Sequence, residues 1–234
     1  HWHMHQPIYW NDQLRSGGVD RYEYAYESIQ YKNANPGAHP FDDLNGIFGK
    51  DDRVAAYQSR PRDTLAAIGS LPDSGASASY SGALMENVNS LGDAGWGGYT
   101  SNWAAPWNEA NEWNTTGGHP RMDIVNFSYH HALLALHDLE TVRMELLLHQ
   151  EKVREEFGAD AISRGTFPTE MCFSTRLIPI YQELGIDWAI VSGEKIARAT
   201  PDFPLVVGTG GVNCDLPNRA DQINPPGEDF IRLQ

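Results

Sequence analysis

Two short segments carry the side chains best placed to do chemistry. Glu170 stands in Gly165-Thr166-Phe167-Pro168-Thr169-Glu170-Met171-Cys172-Phe173-Ser174, just after a Pro-fixed strand end and just before a helix start. Sites in α/β enzymes assemble at such junctions. A carboxylate there can attack as a nucleophile, or it can simply be a first-turn acid favoured by the helix macrodipole. At the start of the chain, His1, His3 and His5 alternate with Trp2 and Met4 ahead of Gln6 and Pro7. On a strand, period-two spacing turns the three imidazoles to one face. Three imidazoles on one face can bind polar groups or a metal ion.

These residues need elements to hold them. The spacing predicts a strand over His1–Tyr9 and a polar, aromatic surface excursion over Asn11–Asn45. Two helical pieces separated at Pro61 follow over Arg53–Leu71, then a strand over Ala78–Met85. Gly92 to Gly118 carries Trp96, Trp103, Trp107 and Trp113 among Gly, Asn and Pro. It reads as an aromatic loop that either forms sugar subsites or packs onto the core. Ile124–Phe127 reads as a strand. His130–Phe157 is the clearest helix, with Leu133, Leu134, Leu136, Val142, Leu146 and Leu147 on its apolar side, His137 and His149 towards solvent, and Gly158 as its stop. Gly165–Phe173 reads as a strand end, Ser174 as the N-cap of a helix over Thr175–Leu184, and Asp187–Ser192 and Leu205–Gly208 as buried strands. Strand and helix alternate through this second half, which favours an α/β architecture with parallel strands.

The Glu170 segment, followed by Leu184-Gly185-Ile186-Asp187-Trp188-Ala189-Ile190-Val191, resembles the nucleophile region of glycoside hydrolase family 57. His3-Met4-His5-Gln6-Pro7 is similar to that family's first-strand signature. Ser128-Tyr129-His130-His131-Ala132-Leu133-Leu134-Ala135-Leu136 resembles a further segment, although Ala132 stands where the family commonly has Pro, which leaves the choice between His130 and His131 open. Ser81-Gly82-Ala83-Leu84-Met85-Glu86-Asn87 is similar to the family's second strand and loop. The resemblance implies an α/β fold, an incomplete or distorted (β/α)7 barrel of the glycoside hydrolase/deacetylase type. It implies retaining cleavage or transfer at α-glucosidic bonds of a polysaccharide or oligosaccharide, with Glu170 as catalytic nucleophile. His3, His5, Gln6, Glu86, His131, Trp10 and Trp188 are the expected substrate-binding residues; Glu86 is equally suited to a structural ion pair. No cofactor is implied and no metal ligand is assigned. The family's acid/base Asp lies late in the chain, and the surroundings of Asp215 lack its pattern, so that partner is expected beyond Gln234. Two other readings compete: a zinc-dependent, polysaccharide deacetylase-like enzyme using His1, His3 and His5, and a non-catalytic carbohydrate-binding relative.

With 31 Asp and Glu against 17 Lys and Arg, the formal net charge is −14, which repels phosphate backbones and anionic lipid heads. Nucleic acid and membrane are therefore not expected partners, carbohydrate is the partner that the resemblance implies, and neither compartment nor oligomeric state follows. Cys172 and Cys214 are too few for a disulfide scaffold. The 234 residues suffice for one large core. One catalytic-barrel domain over residues 1–234 is expected, truncated at its C-terminal end.

Overall fold

The computed structural model describes residues 1–9, 22–39 and 41–192. Residues His1–Ala189 form one compact unit. Its strands are β1 (Trp2–Met4), β2 (Ala76–Tyr80), β3 (Met122–Val125), β4 (Gly165–Thr166) and β5 (Trp188–Ala189). Its helices are α1 (Ala25–Ala34), α2 (Leu44–Gly49), α3 (Asp51–Gln58), α4 (Arg60–Ala67), α5 (Gly82–Asp93), α6 (Ala105–Asn111), α7 (Leu139–Phe157) and α8 (Ile178–Glu183). These strands pair in parallel: β1 on β2 with His3 opposite Ser79, β2 on β3 with Ser79 opposite Val125, and β4 on β5 with Gly165 opposite Trp188. A parallel bridge between Asn126 and Thr166 joins the two sheets, so the strands follow one another in chain order.

That bridge depends on one buried amide. Asn126 Nδ2 donates to the carbonyls of Ser163 (2.7 Å) and Gly165 (2.8 Å), and its Oδ1 accepts from Gln150 of α7 at 2.9 Å. Each polar atom of the side chain is thus paired, as a buried amide requires.

Alternation explains which side faces which layer. Met4, Ala78, Tyr80, Met122 and Ile124 lie in the main core, together with Leu84, Met85, Val88 and Leu91 of α5 and Val153 and Phe157 of α7. The intervening positions, His3, Ser77, Ser79 and Asp123, turn to the opposite face. A smaller core gathers Val142 and Leu146 of α7 with Ile180 and Tyr181 of α8 and with Leu134, Leu177 and Ile186.

Several boundaries differ from the sequence reading. The excursion up to Asn45 contains α1, whose Ala25 and Ile29 join the core. β2 ends at Tyr80 because the Ser81 side chain accepts from Leu84 N and starts α5 there. The tryptophan-rich loop encloses α6, and Trp103 and Trp107 are buried, their indoles donating to Asn89 Oδ1 (2.6 Å) and Tyr57 O (3.0 Å); Trp96 and Trp113 pack on the same core. All four rings thus pack against the core. α7 starts at Leu139, where Asp138 caps Thr141 N, and not at His130. Leu136 and Leu147 are exposed, whereas His149, expected in solvent, is buried. β5 covers only Trp188–Ala189, with Trp188 44% exposed, so this is a rim strand and not a buried one. The break near Pro61 falls at Ser59, with Pro61 in the first turn of α4. Trp10, Leu205–Gly208, Cys214 and Asp215 lie outside the described residues. No helix of the described residues is long and apolar enough to cross a membrane.

Candidate active site

The polar face of the sheet is a ladder of imidazoles against hydroxyls. His1 Nδ1 meets Ser77 Oγ at 2.8 Å, His3 Nδ1 meets Ser79 Oγ at 2.8 Å, and His5 Nδ1 meets Ser81 Oγ at 2.8 Å. Ser79 Oγ also reaches His1 Nε2 at 3.2 Å. Parallel pairing in this register makes the ladder: two strands with matched period-two patterns must place His opposite Ser at each step. Phe127 and Phe167 form an apolar wall, with ring centroids 5.2 and 5.4 Å from that of His3.

Beyond the strand ends, two loops converge on this face. His131, on the loop after β3, places Nε2 3.2 Å from His3 Nε2 and 3.6 Å from Glu170 Oε1, and its ring stacks on that of His5 at 4.0 Å. Glu170 sits on the loop after β4. His131, Glu170 and Met171 have φ of 65°, 54° and 52°, the three non-Gly residues of positive φ among those described. That conformation costs on the order of 1 kcal/mol or more for an L residue and persists where surrounding contacts impose it. Two of these three residues form the cluster itself.

α7 imposes much of this. Glu145, a buried carboxylate, accepts from Ser128 Oγ (2.7 Å) and His130 N (2.9 Å) and lies 2.6 Å from His130 Nδ1. Ser128 Oγ in turn accepts from Ala132 N at 2.6 Å. The loop holding His131 is therefore tied at 128, 130 and 132. Burial by itself raises the Glu145 pKa, but the hydrogen bonds from His130 and Ser128 overcome it and leave a net lowering.

Burial also sets the charge of the imidazoles. His5 is pushed down to about 3, first by desolvation and then by His131 and His3. His3 and His131 are lowered too, again mainly by desolvation, with the Glu170 carboxylate acting in the opposite direction. Near neutral pH the three rings are uncharged, each offering one N–H donor and one lone pair. The Glu170 side chain is 68% exposed, and its contact with a neutral His131 at 3.6 Å is not an ion pair.

Of the other residues expected at the site, Gln6 is engaged with Tyr9 OH (2.7 Å) and Tyr57 OH (3.4 Å). Glu86 accepts from Tyr129 OH at 3.0 Å and pairs at 3.2 Å with Lys152, a buried ammonium that also meets Glu156 at 2.8 Å. Neither Gln6 nor Glu86 belongs to the His3–His131–Glu170 cluster. Trp188 lies over Gly165. Sequence reasoning missed Ser79, Glu145 and the two Phe; the alternating serines of Ser77-Ala78-Ser79-Tyr80-Ser81 were the available signal for the first. Among the described residues, the donors close enough together for one metal ion are those of His3, His131 and Glu170, all within 4.8 Å of one another. The trio of His1, His3 and His5, on which the competing zinc reading rests, is not such a set among the described residues. Two surface concavities, one lined by Lys32, Asp42 and Asp43 and the other by Leu65, Trp113 and Arg121, share no residue with this cluster.

A parallel sheet in chain order, with its polar cluster at the C-terminal ends of the strands, is the α/β arrangement that carries sites on strand-following loops. The chain belongs to glycosyl hydrolase family 57, whose family model matches residues 1–208. It is 29% identical over 248 aligned positions to an α-amylase of Niallia circulans, covering 95% of this chain and spanning 19% of that relative's length. A solved structure, the 4-α-glucanotransferase of Thermococcus litoralis, is similar with a TM-score of 0.46 and 17% identity over 63% of this chain and 20% of that one.

Proposed function

We propose that this chain is part of a retaining glycoside hydrolase or glycosyl-transferring enzyme acting on α-glucosidic bonds, with Glu170 as nucleophile. On this proposal residues 1–234 belong to one catalytic domain, an incomplete or distorted (β/α)7 barrel. Family membership supports the class of reaction. The single observation supporting the nucleophile is an exposed carboxylate held in a positive-φ turn at the strand ends, beside neutral imidazoles.

In this reading a Glu170 oxygen attacks the anomeric carbon, the bond to the leaving oxygen breaks, and a carboxylic acid protonates that oxygen. The glycosyl ester is then opened by water in hydrolysis or by a sugar hydroxyl in transfer, the same acid/base taking the incoming proton. Neutral His3, His5 and His131 suit sugar hydroxyls, which both donate and accept. Trp188 and Trp10 supply ring faces, Gln6 orients the loop after β1 through Tyr9 and Tyr57, and Glu86 acts from its place beside Lys152.

Glu170→Gln in the full-length protein tests this. Gln keeps the size but cannot form the ester, so kcat is expected to fall at least about a thousandfold with sugar binding retained. Azide is expected to partly restore turnover of an activated α-glycoside by Glu170→Gly, giving the β-glycosyl azide. Wild-type kcat in the Gln variant would make Glu170 a structural carboxylate.

A further inference from the structure

We propose that His3, His131 and Glu170 form a zinc site of two imidazoles and one carboxylate. Binding rests on geometry alone; its consequence, that an occupied site shuts off the enzyme, rests on the reading of Glu170 as nucleophile.

Zinc holds its ligands tetrahedrally, with nitrogens and carboxylate oxygens at about 2.0–2.2 Å, so adjacent donor atoms lie roughly 3.3–3.5 Å apart. His3 Nε2 and His131 Nε2 are 3.2 Å apart, and His131 Nε2 is 3.6 Å from Glu170 Oε1. Two edges of the triangle are thus already near ligand spacing. The remaining edge lies within 4.8 Å, and an exposed Glu170 side chain needs only a rotamer adjustment to close it.

The surroundings favour this occupancy. In the tautomer that donates Nδ1–H to Ser79 Oγ at 2.8 Å, His3 presents a bare Nε2 lone pair towards His131. Metal-bound histidines characteristically donate their other ring nitrogen in this way, which fixes the ring. His131 is held by its stack on His5 and by the loop tied to Glu145. Two nitrogen donors favour zinc and its neighbours over calcium or magnesium, which prefer oxygen. The formal charge of −14 favours approach of a cation. Three protein ligands leave a fourth position for water.

Zn²⁺ alone is the probe, titrated into the chelator-treated protein by calorimetry and by competition with a chromophoric chelator. One ion per chain is expected at this site. Glu170→Gln and His131→Asn are each expected to weaken it about tenfold or more, and Ser79→Ala by about tenfold through loss of the bond that orients His3. His119→Asn, at an exposed histidine outside this cluster, is expected to change nothing. Absence of saturable binding, or equal affinity in the Glu170 and His131 variants, overturns the site. Turnover by the full-length enzyme is followed in parallel. Zinc binding that requires these ligands but leaves turnover intact supports the site and counts against Glu170 as nucleophile.

Discussion

At the scale of single residues, the types that carry chemistry were readable before any fold was known, and their partners were not. The alternation of His1, His3 and His5 told that they share a face, and the structure turns them to one side of the sheet. Nothing in that alternation named Ser77, Ser79 and Ser81, because the register of β1 on β2 is a long-range property of the fold. The pair His130 and His131 could not be separated by sequence. Backbone φ of 65° at His131 swings it towards His3, while His130 is claimed by Glu145. Gly165 and Trp188 stand in two separate segments of the sequence, and the fold brings them into contact. A Cβ on Gly165 would lie 2.0 Å from the indole of Trp188. Gly165→Ala is therefore expected to destabilise by about 1–3 kcal/mol through overpacking. Trp188→Ala should remove most of that cost, so thermal unfolding of the double variant should show Gly165→Ala to be nearly neutral. An undiminished cost in the Trp188→Ala background would place the clash elsewhere.

Elements were legible where the pattern was local. α3 and α4 divide near Pro61 as expected, α7 ends at Gly158, and β3 lies within two residues of its expected place. Errors came where a cap competes with an apolar run: Ser81 ends β2 early and Asp138 delays α7. The delay matters, because the nine residues conceded by the helix become the loop that carries His131. Glu145 of α7 ties that loop through Ser128 and His130. Glu145→Ala leaves the buried Ser128 hydroxyl and the part-buried His130 N–H unpaired, and a loss of about 1–3 kcal/mol in unfolding free energy is expected. The informative readout is local. Amide exchange at residues 128–132 should speed up more than exchange in α8, and kcat of the full-length enzyme should drop with it. Uniform acceleration across the unit would mean that Glu145 supports the fold generally and not this loop.

At the scale of the whole molecule, the helical layer and the polar face meet at His149, and its burial gives the fold a pH dependence. Its Nε2 lies 2.9 Å from the carbonyl of Tyr80, which can only accept, and its Nδ1 lies 3.4 Å from the amide of Phe127, which can only donate. These contacts select the neutral ring with its proton on Nε2; a second proton on Nδ1 would face an N–H. Desolvation, only partly opposed by the Tyr80 carbonyl and Glu145, holds its pKa down to about 4. The unfolded chain protonates near 6.5. Between these values the unfolded state binds more protons than the native state, so stability falls as pH drops from about 6.5 towards 4, by on the order of 3 kcal/mol at the lower end. Glu145 adds its own loss only below the ordinary carboxylate range, because its depressed pKa contributes stability above about 4.5. His5, His3 and His131, whose pKa values are lowered too, lose stability across the same window, so denaturant unfolding at a series of pH values between about 6.5 and 4.5 reads His149 through its difference from a His149 variant. His149→Gln, which keeps one donor for Tyr80 and cannot be protonated, is expected to be less stable than wild type at neutral pH through poorer packing, yet to have a shallower slope across that window. Parallel slopes for the two proteins would show that buried His149 contributes nothing to acid sensitivity and that the other lowered histidines account for it.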